Sequence, residues 1–188
     1  MRRLSGRVAV VTGAGSGIGR ATAKALAERG CAIAAVDVHP DGAEETAEQV
    51  RSIGAGASVH RADVRDADRM NELPIEVECS LGPCQILVNN AGVTAAGAFT
   101  DETIDDLRWI VDINVWGVLH GCRAFLPMLQ QADEAHIVNM SSMVGLLGLP
   151  HNVSYSLTKG AVRAFSEALR AELVATQVGV TVVFPGAI

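Results

Sequence analysis

Tyr155 and Lys159 lie four residues apart in a segment with helical apolar spacing, so a phenol and an ammonium share one helix face a turn apart. A phenol titrates at about 10 and is a poor base at neutral pH, but a neighbouring ammonium favours the phenolate. Such a pair is suited to passing a proton to or from an alcohol or carbonyl oxygen. Ser142, at the end of a short apolar run, adds a hydroxyl that can donate to an oxygen gathering negative charge. A Tyr-x-x-x-Lys spacing is common on solvated helices, and strand-end serines are ordinary. These three residues acquire meaning only from what shares their site.

The chemistry must be positioned by other elements, and residues 8–19 are the first of them. They read Val-Ala-Val-Val-Thr-Gly-Ala-Gly-Ser-Gly-Ile-Gly. The apolar run is too short for a helix and suits a buried strand, and a helical pattern begins at Ile18. Glycine allows the turn to bend sharply and a ligand to approach the backbone. The helix start offers unpaired N–H groups and partial positive charge to an anion. Strand, turn and helix thus predict a pyrophosphate cradle made by Gly13, Gly15, Ser16, Gly17, Ile18 and Gly19. Asp37 ends the next apolar run, about twenty residues on, where a carboxylate grips the adenosine ribose hydroxyls of a dinucleotide. The plainer alternative is a turn residue leading into His39-Pro40-Asp41-Gly42. A carboxylate there repels a 2′-phosphate, and neither Ser16 nor Val38 is basic, which favours NAD over NADP. Asp63 either reaches the adenine edge or caps the helix opening near Asp66. Asn89-Asn90-Ala91-Gly92 closes a further strand, as loop chemistry or as part of the same rim.

Strands and helices alternate along the chain. Helical patterns cover 18–29, 43–53, a stretch from about 66 to the stop at Gly82-Pro83, 103–131, and a last helix opening at Tyr155 and continuing through 161–176. Strand patterns cover 31–37, 58–61, 86–88, 136–140 and 180–184. Pro74 is expected to kink or break its helix, and Thr103 with Asp106 forms a capping-box signature. Asn114 falls inside the apolar stripe of 103–131, so its amide is either functional or bonded between helices. The alternation predicts an α/β chain with a Rossmann-type, doubly wound parallel sheet of six strands in a three-layer α/β/α sandwich. The ligand would lie across the carboxyl ends of the strands. No repeat or linker divides residues 1–188, which are expected to be one domain.

Composition narrows the partners. With 49% hydrophobic and 19% charged residues the chain is globular rather than disordered. A net charge of −6 without a basic block argues against nucleic acid and anionic membrane surfaces. The start Met1-Arg2-Arg3 is followed by an apolar run broken at Gly6 and Arg7, and no window is long enough to span a membrane; a cytoplasmic protein is expected. Cys31, Cys79, Cys84 and Cys122 are scattered and expected to be plain thiols, and the five histidines share no ligand spacing, so no metal is expected.

Jointly these features resemble the short-chain dehydrogenase/reductase family, in the group marked by Thr-Gly-x-x-x-Gly-x-Gly. The matches are residues 12–19, Asp37, Asp63-Val64, 89–92, Asn114, Ser142, Tyr155, Lys159 and Pro185-Gly186, in family order from residue 7 to the end. The resemblance implies an NAD-dependent oxidoreductase interconverting a secondary alcohol and a ketone. Tyr155 would be the acid/base, Lys159 its modulator and a ribose ligand, Ser142 the polariser of the carbonyl, and Asn114 the holder of a relay water. Asp63, Val64, Asn90, Ala91, Gly92, Pro185 and Gly186 would join the glycines, Tyr155 and Lys159 around the cofactor. The Tyr-to-Lys spacing does not fit the enoyl-reductase pattern, nor the glycine spacing the epimerase branch. The resemblance also implies a homodimer or homotetramer paired through the two long helices. Family chains continue further, into a seventh strand and a substrate lid, so the chain reads as C-terminally truncated. The second reading is therefore a dinucleotide-binding sensor or interaction module with an incomplete substrate site and little turnover. Residues 93–99 and 143–153 are small and apolar, which suits an uncharged, modest-sized carbonyl or alcohol.

Overall fold

The computed structural model describes residues 3–186. Strand β1 (Val8–Thr12) leads into helix α1 (Gly17–Ala27), then β2 (Ala32–Asp37), α2 (Pro40–Ser52), β3 (Ala57–Arg61) and α3 (Ala67–Leu81). Strand β4 (Cys84–Asn89) follows, then α4 (Ile104–Val111), α5 (Gly117–Leu129), β5 (Ala135–Met140), α6 (Val153–Glu172) and β6 (Val178–Val183). The sheet order is β3-β2-β1-β4-β5-β6, and every pairing is parallel. The chain leaves β1 in one direction for β2 and β3 and returns on its other side for β4. That reversal opens a crevice at the carboxyl ends of β1 and β4, where a doubly wound sheet receives its ligand.

Side chains alternate across the strands, so the sheet has two cores. Val8, Val10, Ala34 and Val36 face one way, against Met70 and Leu73 of α3, Phe125 of α5 and Val162 of α6. Ala9, Val11, Ile33 and Ala35 face the other way, against Ala23 and Ala27 of α1 and Val50 of α2. At the start of β1 the register with β4 slips between Val8 and Ala9, and the Gln85 side chain accepts the Val8 N–H at 2.8 Å. Across the β3 edge, Arg69 of α3 pairs with Glu76, whose other neighbour is the buried ring of His60. The guanidinium holds the Glu76 carboxyl down to about 2.

Two expectations change. Pro74 neither breaks α3 nor ends it: the helix runs through it, with Met70, Leu73, Pro74 and Val77 all buried. Burial of that stripe outweighs the one backbone hydrogen bond a proline removes. The expected helix 103–131 is continuous in direction but not in register. Asp112–Trp116 is a π turn between α4 and α5, where the Gly117 N–H donates to the Asp112 carbonyl. The capping box at its start is present, with the Thr103 hydroxyl and the Asp106 carboxylate each bonding the other's backbone N–H. Helix α2 begins at Pro40, earlier than its apolar pattern, because proline suits the first helical position.

Cys31, Cys84 and Cys122 are buried and Cys79 is exposed, all as free thiols. Burial pushes Cys84 and Cys122 up to about 12, which makes them inert. Among the described residues no helix is long and apolar enough to cross a membrane.

Candidate active site

A cleft of about 760 Å³ runs along the carboxyl rim from Asp37, Val38 and His39, over the glycine turn, to Ser142, Tyr155 and Lys159. Of the residues singled out from the sequence, all but Gly15 and Asn114 line it. Those two lie behind its wall.

The glycine turn is folded flush against the end of β4. A Cβ on Gly19 would lie 2.0 Å from the Gly13 carbonyl oxygen, and one on Gly13 would lie 2.9 Å from Ala91 Cα. Gly13 also has φ 64°, in the left-handed region that favours glycine. Thr12 ties the two strand ends together, its Oγ1 accepting the N–H groups of Asn90 and Ala91 at 3.0 Å each. The Asn90 amide donates back to the carbonyls of Thr12 at 2.9 Å and Gly13 at 3.2 Å. Gly15 gives its N–H to Asp37 Oδ2 at 2.8 Å, and the other oxygen of Asp37 accepts the His39 N–H at 2.9 Å. Asp37 therefore braces the turn as well as facing the cleft.

At the same end Asp63 is gripped by Arg65, whose guanidinium meets both carboxylate oxygens and keeps the carboxyl below its usual range. Arg65 itself lines the cleft, which the sequence reading did not anticipate. The Val64 carbonyl is hydrogen-bonded to His120 Nδ1 at 2.9 Å, and Gly117 leaves room for the Val64 side chain.

Tyr155 lies in the first turn of α6 and Lys159 one turn on, with Lys159 Nζ 5.6 Å from the centre of the phenol ring. Lys159 is only 5% exposed and donates to the Met140 carbonyl at 3.0 Å. Burial pushes its ammonium down to about 8. The start of α6 is seated on the end of β5. Ser141 Oγ donates to the Lys159 carbonyl at 2.8 Å, and a Cβ on Gly145 would meet that same backbone at 2.8 Å. Ser142 is nearly buried and caps the short turn Met143–Gly145.

Asn114 sits in the π turn, fully buried, and its amide is spent on structure. Its Oδ1 accepts the Val93 N–H at 2.8 Å, and its Nδ2 donates to the Val93 carbonyl at 2.9 Å and to Thr158 Oγ1 at 3.1 Å. It joins the loop after β4 to α6 beneath the phenol–ammonium pair. A Cβ on Gly92 would be 3.1 Å from Asn114 Oδ1 and 3.3 Å from Lys159 Nζ, so all three groups converge there. Trp109 and Ile113, on the cleft side of α4 and the π turn, also escaped the sequence reading. Neither falls in the apolar stripe of that helix, and no motif marks them.

The chain is similar in sequence and fold to known proteins. The chain matches LinX of Sphingobium indicum, named a 2,5-dichloro-2,5-cyclohexadiene-1,4-diol dehydrogenase, at 34% identity over 98% of this chain and 74% of that one. SadH of Mycobacterium tuberculosis, whose name attributes an oxidoreductase role and no substrate, is 39% identical over 100% of this chain and 69% of its own length. A short-chain dehydrogenase/reductase from Burkholderia phymatum, crystallised in complex with NAD, superposes with a TM-score of 0.97 at 36% identity, covering 100% of this chain and 68% of that one. The family model for short chain dehydrogenase spans residues 7–188. With that family model matched over nearly its whole length, this chain belongs to the short-chain dehydrogenase family.

Proposed function

We propose that this oxidoreductase uses NAD, in preference to NADP, to interconvert a secondary alcohol and a ketone on a small uncharged substrate. The carrying observation is that one cleft joins the glycine turn and Asp37 to Ser142, Tyr155 and Lys159. The residues present fit a dinucleotide. Gly13, Gly17 and Gly19 line the cleft without side chains to obstruct a pyrophosphate, the start of α1 offers N–H groups to it, and Asp37 lines the same cleft beside the turn. When bound, the nicotinamide supplies or accepts the hydride. Tyr155 moves the proton at the substrate oxygen, and Lys159 favours the phenolate and holds the nicotinamide ribose. Ser142 donates to the same oxygen where charge builds. Asn114 holds the loop and α6 in register through its amide, and the relay water that the family resemblance assigns to it would be held by its backbone. Asp63, Val64, Asn90, Ala91, Gly92, Pro185 and Gly186 complete the cofactor wall. Ile104 of α4, Trp116 of the π turn and Leu157 of α6, all exposed, support pairing of two copies through the two long helices; light scattering in solution tests it.

The experiment for the activity is NADH oxidation across a panel of ketones, with Tyr155→Phe alongside and NADH binding followed by fluorescence. Turnover that depends on Tyr155 is expected. Tight NADH binding with no Tyr155-dependent turnover on any substrate would instead make this chain a dinucleotide-binding module.

A further inference from the structure

Behind the cleft, the four backbone carbonyls from Thr12 to Gly15 are each claimed by a side-chain donor. Those of Thr12 and Gly13 accept from Asn90, at the β4 side. The next two are held from the α2 side: Thr46 Oγ1 donates to the Ala14 carbonyl at 2.7 Å, and Arg20 Nη2 donates to the Gly15 carbonyl. Arg20 is itself braced, with Nη1 and Nη2 each 2.8 Å from a Glu45 oxygen and Nε donating to Thr46 Oγ1 at 3.0 Å. Thr46 is fully buried. The packing leaves little slack, since a Cβ on Gly42 would lie 2.9 Å from the Gly15 carbonyl oxygen.

An anion at the start of α1 needs N–H groups facing it and carbonyl oxygens turned away. We propose that Arg20, with Glu45 and Thr46 behind it, is a positioning residue for the pyrophosphate of the dinucleotide. It draws the Gly15 carbonyl to the α2 side, and Thr46 does the same for Ala14, so the first turn of α1 faces the phosphates without an opposing oxygen. The guanidinium fork is needed because one group must reach Glu45, Thr46 and Gly15 together; a lysine has no such planar set of donors. This assignment rests on the dinucleotide reading of the cleft.

The test compares the affinity of the 188-residue chain for ADP-ribose, which carries the pyrophosphate, with that for adenosine, which lacks it. Arg20→Ala is expected to weaken ADP-ribose at least tenfold and Thr46→Val several-fold, with adenosine changing less than twofold. Arg20→Lys is expected to recover only part of the loss. Arg7→Ala, which breaks a surface pair with Asp133 at the opposite rim, should leave both ligands unaffected even if the melting temperature falls. Unchanged ADP-ribose binding in folded Arg20→Ala, or an equal loss of both ligands, overturns the proposal. If Arg20→Ala does not fold, Thr46→Val and Arg20→Lys decide by the same ratio. A wild-type chain that binds no ADP-ribose overturns the dinucleotide reading, and this proposal with it; wild-type binding with an unmoved ratio overturns the proposal alone.

Discussion

The two ends of the cleft are built differently. The end around Asp37, the one proposed for adenosine, is made largely from residues 12–65, a run of alternating strands and helices in which the Gly15 N–H donates to Asp37 and Thr46 donates to the Ala14 carbonyl. The end that holds Ser142, Tyr155 and Lys159 is collected from the ends of β4, β5 and β6, the π turn and α6. Around it Met143, Leu146, Leu147 and Leu149 remain exposed. Recognition of the common part of a cofactor can be entrusted to a stiff local unit, whereas the chemistry depends on distant segments being brought into register. The first tolerates little change in shape; the second tolerates changes in shape but not in functional groups.

The sharpest break in that contrast is Gly19→Ala. Its added carbon has nowhere to go against the Gly13 carbonyl, so NADH affinity should fall by more than a hundredfold, with about 1–3 kcal/mol lost in thermal or urea unfolding. Tyr155→Phe should do the opposite, lowering turnover by about 10²–10⁴ while the NADH dissociation constant, read by fluorescence titration, moves less than twofold. If binding fell with it, the two ends would not be separable. Asp37→Asn should raise the affinity for NADPH relative to NADH by about tenfold, through loss of like-charge repulsion at the ribose; an unchanged ratio would remove Asp37 from cofactor choice. The subtlest effect is on pH. The Lys159 ammonium titrates at about 8 in the folded chain and at 10.5 when free, so between those values the unfolded chain binds more protons and folding stability rises with pH. Measured against Lys159→Met, the wild type should gain about 3 kcal/mol from pH 7.5 to 10.5. A constant gap across that range would mean the ammonium is not desolvated.

How much of this was readable beforehand follows the same division. Gly13, Gly17, Asp37, Tyr155 and Lys159 announce themselves because their partners are close in sequence or their spacing matches one turn of helix. The six strands and their layers follow from apolar runs alternating with amphipathic ones. Arg20 did not stand out, because its meaning lies in Glu45 and Thr46, some 25 residues on. Arg65 is two residues from the Asp63 it grips, a separation that carries no helical or strand signal. Pro74 misled because local propensity was outweighed by the burial of its neighbours. Asn114 was noticed as a polar residue in an apolar stripe, but its partners, Val93 and Thr158, are 21 and 44 residues away.

The π turn at Asp112–Trp116 makes the helix around Asn114 one residue longer per turn than its flanks. Winding the same residues as an ordinary α-helix, without the wide turn, would rotate everything beyond by about 100° relative to everything before. Ile110 and Phe125, now buried on either side of the turn, could then no longer both point inward. The irregularity therefore acts as a phase adjuster between two packed half-helices: the wide turn absorbs one residue, so a one-residue insertion beside it should turn α5 out of its seat, whereas a one-residue deletion within it should leave both halves packed.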